Sequence, residues 1–296
     1  MPRAPWRDWI EYALVRAVVA SVEILPDPAA CRVAGGYARA FDLLAPRLRR
    51  IARRNLELAL PCLDAGARER AIDGVFRSLG GVLYAFSRFP RIDRGNVGQW
   101  IRYEGYEHFE QALGRGKGVL FATAHLGNWE LSAFAHALLS APMHVVVRPL
   151  DNARIDAFVE QRRSLSGNRL IGKRSYARPI LEALRKNEAV GVLVDQNVLD
   201  GVFVPFFGIP ACSERSFARL AARSGAAVIP GFAVWSEEEG RYILRFDPPL
   251  PITGDADVDT ATMQAKIEQV IREYPDQWLW IHRRWKTRPA GEPSLY

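Results

Sequence analysis

The chain has 296 residues, which allows one large domain or two modest ones with a sizeable core. Basic side chains (40 Lys and Arg) outnumber acidic ones (33 Asp and Glu), and the formal charge of +7 favours an anionic partner: nucleic acid, acidic lipid or an acidic carrier protein. Cys31, Cys62 and Cys212 lie far apart, without a C-x-x-C pair or a nearby His, which argues against a disulfide framework or zinc site and indicates reduced cytosolic thiols.

Residues 1–95 are predicted to form a helical, membrane-associating N-terminal region. No secretory signal is evident, because a separate basic region, apolar core and small-residue cleavage site are missing. Residues 6–25 carry too many charged side chains for a clean transmembrane span. Apolar residues recur there at helical spacing, which fits an interfacial amphipathic helix and a helix docked on the protein's own core equally well: Trp6, Trp9, Ile10, Ala13, Leu14, Ala17 and Val18.

Residues 96–296 are predicted to form an α/β core, because short apolar runs alternate with segments of helical composition. The predicted strands are 97–103, 119–124, 143–148, 189–194, 227–235 and 242–246. The predicted helices are 105–113, 130–139, 153–166, 177–186 and 260–274. The expected fold is therefore a sheet flanked by helices, with the helical N-terminal subdomain packed beside it.

The central feature is His125, which comes just after a buried strand, where open α/β sheets place their ligands. Glu130 follows five residues later, and the two side chains meet only if Gly127 and Asn128 turn the backbone between them. A carboxylate on one imidazole nitrogen leaves the other free to take a proton from a hydroxyl group. A core histidine with a satisfied hydrogen bond is the structural alternative.

Two further strands also end in ionisable residues. Arg148 is expected either to bind an anionic group such as a phosphate or to form a sheet-edge salt bridge. Asp195, followed by Gln196, is expected to orient His125 from a second direction, to bind a substrate hydroxyl, or to cap the following turn. Because the carboxyl ends of neighbouring strands line one crevice, His125, Arg148 and Asp195 are predicted to share a site.

Two aromatic segments remain ambiguous. Residues 201–212 form an apolar stretch with Phe203 and Phe206 that suits the wall of an acyl-chain tunnel, a membrane-facing lip or plain core packing. Residues 274–288 mix Trp with cationic side chains, including Arg284, as lipid–water interfaces and single-stranded nucleic-acid sites both do. The sequence contains neither a G-x-S-x-G elbow nor a P-loop, and no metal-ligand cluster stands out among its five His.

The chain resembles the bacterial lipid A biosynthesis late acyltransferases, the lauroyl and myristoyl transferase family, which includes phosphatidylinositol-mannoside acyltransferases. The sequence His-Leu-Gly-Asn-Trp-Glu at 125–130 is similar to the family's H-x-x-x-x-[DE] motif. Further blocks match in order at 148–152, 194–197, 201–208 and 275–289. The N-terminal helix departs from the pattern, because the family usually has a more apolar anchor there.

The resemblance implies a glycerolipid-acyltransferase-like fold and transfer of a fatty acyl group from acyl carrier protein, or less often coenzyme A, to a glycolipid hydroxyl at the cytoplasmic face of the inner membrane. It implies no cofactor and no metal. His125 would be the general base and Glu130 its orienting carboxylate. Backbone N–H groups near Gly127 and Asn128 would stabilise the oxyanion. The implied substrate-binding residues are Asn128, Arg148, Asp195, Gln196, Phe203, Phe206 and Arg284.

The acceptor remains open between a lipid A precursor and a phosphatidylinositol mannoside or other polar lipid. Attachment to the membrane is expected to be peripheral or through a single anchor. A basic-aromatic nucleic-acid-binding protein without catalysis is the non-enzyme alternative, and a His–Glu pair at a strand end has no use in such a protein. No nucleic-acid partner is therefore expected.

Overall fold

The structure is a computed structural model that describes residues 4–173 and 175–296. Four helices open the chain: α1 (Pro5–Glu23), α2 (Asp27–Leu44), α3 (Pro46–Ala59) and α4 (Ala65–Arg88). Helices α1 to α3 each carry Pro in their first turn, where the missing N–H is not required and the fixed φ suits the helix. Helix α4 begins at an Asp64 cap that accepts from the Ala67 N–H at 2.7 Å.

A seven-stranded mixed sheet follows, in the order β1-β9-β8-β2-β5-β3-β4, and confirms the predicted mixed α/β fold. All neighbouring strands are parallel except the antiparallel pair β8–β9. The strands are β1 (Ile101–Glu104), β2 (Val119–Thr123), β3 (His144–Val147), β4 (Arg169–Gly172), β5 (Ala189–Leu193), β8 (Ala227–Ser236) and β9 (Arg241–Phe246). Strand β4 was not predicted, and the start of the predicted strand 97–103 is a 3-10 turn at Val97–Gln99.

Five of the six helices described in this part lie where the sequence predicts them, within a few residues. The six are α5 (Tyr106–Leu113), α6 (Trp129–Leu139), α7 (Ala153–Ser164), α8 (Ala177–Arg185), α9 (Ser216–Ser224) and α10 (Ala256–Glu273), and α9 was not predicted. Two apolar cores cover the two faces of the sheet. The core on one face includes residues of α3 and α4, so the N-terminal helices share it with the sheet.

The segment predicted as an aromatic loop is instead an antiparallel hairpin of β6 (Val202–Phe206) and β7 (Ile209–Ser213). Phe207 and Gly208 form its turn, both with positive φ, at 53° and 75°. Phe206 is fully buried against Trp278, with ring centroids 5.7 Å apart. Core packing, one of the expected alternatives, is therefore the role of this side chain.

The C-terminal run is also part of the core. Trp278, Trp280 and Trp285 are fully buried, and Arg284 is buried with them. The expectation of a basic-aromatic surface at 274–288 is wrong, because the rings that would contact lipid or stack on bases are inside the protein. The hydrophobic effect explains the placement, since indole rings carry a large apolar area.

Helix α1 docks on the protein at one end and exposes apolar side chains at the other. Its carboxyl-terminal half buries Val19 and Val22 against the protein. Its amino-terminal half leaves four large apolar side chains exposed: Trp6, Trp9, Ile10 and Leu14, between 52% and 67%. Within residues 4–173 and 175–296, none of the helices combines the length and the hydropathy that a membrane crossing requires.

Candidate active site

Strands β3 and β5 separate where the site lies. They pair at only two positions, His144 with Val190 and Val145 with Gly191, whereas β2 and β5 pair along five. Beyond Gly191 the pairing of β3 with β5 stops, and the ends of both strands line an opening there, Val146 and Val147 from β3 and Val192 and Leu193 from β5. This opening is the crevice at strand ends that the sequence predicted.

The turn after β2 positions His125. The Gly127 N–H donates to Gln277 O at 2.9 Å, and the Asn128 N–H donates to Ala233 O at 2.8 Å. Gly127 has φ 59°, and a Cβ there would lie 1.9 Å from Ala233 O, so only glycine fits. The turn is therefore locked to β8 on one side and to the C-terminal segment on the other.

These hydrogen bonds correct the predicted oxyanion site. The backbone N–H groups of Gly127 and Asn128 already donate to protein carbonyls and are not available to a tetrahedral intermediate. The Asn128 side chain is buried as the N-cap of α6, where its Oδ1 accepts from the Leu131 N–H at 3.0 Å. Asn128 thus has a structural role and does not line the cavity described below.

Asp195, rather than Glu130, is the carboxylate that contacts His125. His125 Nδ1 lies 2.8 Å from Asp195 Oδ1, and the His125 backbone N–H donates to Asp195 Oδ2 at 2.9 Å. Trp278 Nε1 donates to the same Oδ2 at 2.8 Å. The predicted contact between Asp195 and His125 is therefore confirmed. The Asp195 side chain is only 1% exposed, which leaves it no access to a substrate hydroxyl.

Asp195 is ionised in this setting. Burial alone would raise the pKa of its carboxyl group, but the charge interaction with His125 and the hydrogen bonds from His125 and Trp278 outweigh burial. The net effect holds the pKa of Asp195 well below its usual value. A buried carboxylate with this low pKa keeps His125 Nδ1 as the proton-bearing nitrogen and leaves Nε2 as the acceptor.

Glu130 lines the same cavity as His125 but bonds to a different partner. Arg163 of α7 forms a two-pronged ion pair with it, from Nε to Oε2 at 2.8 Å and from a terminal nitrogen to Oε1 at 2.6 Å. The predicted contact between His125 and Glu130 is therefore replaced by two pairs, His125–Asp195 and Glu130–Arg163. Burial lowers the pKa of the Arg163 guanidinium, but the hydrogen bond and charge of Glu130 raise it more.

A cavity of about 280 Å³ lies beside His125 and runs between the sheet and α6. Its polar residues gather near the strand ends: His125, Gln196, Glu130, Arg163, Arg148 and Lys173. Its other end is aromatic and aliphatic: Phe89, Phe121, Phe134, Met143 and Phe246, together with Gly191, Gly231 and His136. The cavity is apolar at one end and polar at the end where His125 lies. Of the three predicted strand-end residues, His125 and Arg148 line it, and Asp195 contacts His125 without lining it.

Gln196 and Arg148 are well placed for ligand contact. Gln196 Nε2 is 3.4 Å from His125 Nε2, and both residues line the cavity. The Arg148 side chain is 79% exposed and pairs loosely with Asp151 at 3.5 Å. A long, solvated cation at the rim of a cavity can reorient towards an anionic group.

Three predicted binding residues lie elsewhere. Phe206 is in the core, and Phe203 on the hairpin is 39% exposed without lining the cavity. Arg284 is fully buried, where its guanidinium donates to Cys212 O at 2.9 Å and to Gln264 Oε1 at 3.0 Å. Burial lowers the pKa of Arg284 to about 10. Arg284 therefore ties the hairpin to α10 and does not line the cavity.

Arg163 and Trp278 are the contacts that sequence reasoning missed. Arg163 stands 33 positions from its partner Glu130, and Trp278 stands 83 positions from Asp195. The one feature of the sequence that points to either contact is the opposite charge of Glu130 and of a cation on the next helix, α7. Among the described residues, no group of three His, Cys, Asp or Glu side chains is arranged to hold a metal ion.

Comparison with known proteins shows which family the chain resembles in sequence. Residues 3–287 match the family model for bacterial lipid A biosynthesis acyltransferase. The chain is 33% identical to the lipid A biosynthesis palmitoleoyltransferase of Escherichia coli (strain K12), over 92% of this chain and 90% of that protein. It is 30% identical to the lauroyltransferase of the same organism, over 98% and 95%. A phosphatidylinositol mannoside acyltransferase of Mycolicibacterium smegmatis is 28% identical, over 67% and 66%.

Proposed function

The chain belongs to the bacterial lipid A biosynthesis acyltransferase family, and from that premise we propose that it transfers a fatty acyl group to a hydroxyl of a lipid A precursor or related glycolipid. The donor is a thioester of acyl carrier protein or coenzyme A. One observation carries the proposal: an imidazole held at Nδ1 by a buried carboxylate stands at the end of an apolar channel.

His125 is the general base in this mechanism. Its Nε2 takes the proton of the acceptor hydroxyl as the oxygen attacks the thioester carbonyl carbon and forms a tetrahedral intermediate. The C–S bond then breaks, and the thiolate leaves with the proton returned by the imidazolium. Asp195 remains ionised throughout and stabilises the imidazolium, the role of the carboxylate in a Ser-His-Asp triad.

Glu130 and Arg163 act on the substrates rather than on the base. Their ion pair forms part of the cavity wall close to His125, and its double hydrogen bond fixes the orientation of both groups. Arg163 thereby brings a positive charge to the place where the carbonyl oxygen of the donor becomes negative. Gln196 is a second donor beside His125 Nε2.

The apolar end of the channel binds the acyl chain. Its walls come from β2, β3, β5 and α6 and carry Phe121, Phe134 and Met143. Transfer of an alkyl chain from water to such a surface stabilises binding by about 0.8 kcal/mol per methylene. This channel takes over the role that the sequence assigned to the hairpin at 201–212.

The cationic rim binds phosphate. Arg148 and Lys173 line the cavity at the carboxyl end of the sheet, where the headgroup of the acceptor or the phosphopantetheine of the donor would enter. A guanidinium forms paired hydrogen bonds with phosphate, and an ammonium acts as a point charge. Both possible phosphates are anionic, in agreement with the net charge of +7.

Helix α1 attaches the protein to the cytoplasmic face of the inner membrane. Its exposed apolar end stands beside the rim loop, residues 148–152 between β3 and α7. Asn152 of this loop donates to Asp8 O at 2.9 Å, and Arg154 at the start of α7 stacks over Trp9 at 3.8 Å. Leu150 of the same loop lines the cavity and is exposed. Trp with neighbouring cations suits the interfacial region of a bilayer, so a lipid acceptor would reach the cavity directly.

The test is acyl transfer from labelled acyl carrier protein to a panel of glycolipid and phospholipid acceptors. His125→Ala is expected to lose transfer while staying folded. His144→Ala is the matched control, because this His lies on β3, bonds to Glu188 at 2.7 Å and does not line the cavity. Equal activity of His125→Ala and wild type would refute the mechanism.

The panel includes phosphatidylinositol mannoside, since the relative from Mycolicibacterium smegmatis is named for that acceptor. Preference for it over a lipid A precursor would change the acceptor without changing the chemistry. If α1 inserts into the bilayer, the protein is expected to sediment with vesicles and to be released from them by detergent but not by salt. Release of the protein by salt alone would contradict insertion of α1.

A further inference from the structure

The buried Trp278 stands behind the His125–Asp195 pair. Its Nε1 donates to Asp195 Oδ2 at 2.8 Å, while Oδ1 of the same carboxylate bonds His125. Trp278 is fully buried and does not line the cavity, so it does not touch a substrate. We infer that Trp278 is a positioning residue for acyl transfer, which holds the Asp195 carboxylate in the plane that orients the general base. The inference rests on the proposed function.

Carboxylate geometry explains why a donor on Oδ2 matters for Oδ1. The group is planar and turns about a single bond, so two donors on one oxygen fix the direction of the other. The Asp195 Oδ2 atom accepts from the His125 backbone N–H and from Trp278. Removing the indole N–H leaves Oδ2 with one donor, the His125 backbone N–H, and the carboxylate becomes free to rotate away from the imidazole.

Trp278 is itself held firmly enough to serve this purpose. Its ring packs edge-on against Trp280, with centroids 4.6 Å apart, and against Phe206. Its backbone forms an antiparallel bridge with Leu126, and the next N–H along the chain, that of Leu279, donates to His125 O at 2.9 Å. One short segment thus contacts the base through its backbone and the carboxylate through its indole.

Trp280 offers a matched control. It is fully buried in the same aromatic cluster, and its Nε1 donates to the Pro275 carbonyl at 2.6 Å, without a contact to Asp195. Trp278→Phe and Trp280→Phe each remove one buried indole N–H and a similar apolar area. A purely structural role for Trp278 therefore predicts the same consequences for both variants.

The first experiment compares kcat and KM of the full-length variants with acyl carrier protein as donor. Trp278→Phe is expected to lower kcat roughly tenfold or more, as for loss of a hydrogen bond to a charged group, with unchanged KM. Trp280→Phe is expected to keep kcat within about twofold. Equal kcat for the two variants, or a change in KM alone, would overturn the positioning role. Inactivity of the wild type with every acceptor would overturn the proposed function instead.

A second experiment needs no measurement of activity. In ¹⁵N-labelled protein, Asp195→Asn removes the charge that the indole N–H faces. The Hε1 resonance of Trp278, assigned from the missing peak of Trp278→Phe or by selective labelling, is expected to move upfield, while that of Trp280 stays in place. An unmoved Trp278 resonance would show that no such hydrogen bond exists in solution.

Discussion

Gly191 is expected to set the length of the acyl chain. This residue lines the cavity in β5, and a methyl group on it would lie 2.7 Å from Met143 Cε. Carbon atoms in contact rest about 3.5–4.0 Å apart, so the Met143 side chain must move by about 1 Å. The space it takes comes from the channel of about 280 Å³. The longest acyl chain that fits the wild type then loses room for at least one methylene.

The free-energy cost follows from that lost burial. One methylene removed from an apolar site costs about 0.8 kcal/mol, which corresponds to about fourfold in kcat/KM. Gly191→Ala is therefore expected to lower kcat/KM about fourfold for the longest chain accepted and to leave shorter chains unaffected. Gly191→Val adds three carbons and is expected to lower it about fifty-fold for that chain, with a shift of preference towards shorter donors.

The assay measures transfer from a series of acyl carrier protein thioesters that differ by two carbons. Gly172→Ala is the control, because Gly172 lies on the edge strand β4 of the same sheet and does not line the cavity, and a Cβ there meets nothing within 4 Å. A loss that is equal for all chain lengths in Gly191→Ala would refute the placement of the acyl chain beside Gly191 and would indicate general damage to the fold.

Three other predictions concern Asp195, the Glu130–Arg163 pair and His136. Asp195→Asn is expected to lower kcat by at least a hundredfold, because the amide no longer stabilises the imidazolium of His125; steady-state kinetics measures this loss, and a near-normal kcat would contradict the assigned role. In a double-mutant cycle, Glu130→Ala and Arg163→Ala are expected to reduce transfer equally, and the double variant is expected to be no less active than either single variant. Additive losses would mean that the two side chains act independently. Burial lowers the pKa of His136 to about 4, so below pH 6.5 the unfolded chain binds a proton that the folded chain does not. The free energy of unfolding is therefore expected to fall by about 2 kcal/mol from this group between pH 8 and pH 5, and urea denaturation of wild type and His136→Phe, which lacks this contribution, should reveal the difference.

The elements that the sequence predicts well are those whose burial is local. The apolar run of β2 is buried along most of its length and needs no distant partner to be recognised. The hairpin of β6 and β7 was missed because Pro205 lies inside its first strand and the non-glycine Phe207 adopts a positive φ in its turn. Proline in a strand and a left-handed aromatic residue both argue against a hairpin in sequence.

The predictions for the site divide in the same way, between features that are local in sequence and contacts that form only in the folded chain. His125 and Asp195 were both found because each follows an apolar strand, and the rule for strand ends brings them together. The predicted contact between Glu130 and His125 was wrong because sequence proximity favoured the nearer acid. In the folded chain, the helix that starts at Trp129 carries Glu130 towards α7, where Arg163 supplies the opposite charge.

His125 and the entrance of the cavity are held by different parts of the molecule. Strand β8, Asp195 just beyond β5 and the segment 277–279 all bond to the turn at His125, so its position follows from the sheet and the C-terminal core. The rim loop with Leu150 is bonded to α1 instead. A chemical group that must keep sub-ångström geometry is thus built on rigid strands. The rim loop is attached to α1, whose amino-terminal end exposes large apolar side chains. Under the proposed function, contact of α1 with a bilayer would therefore change the entrance without disturbing the base.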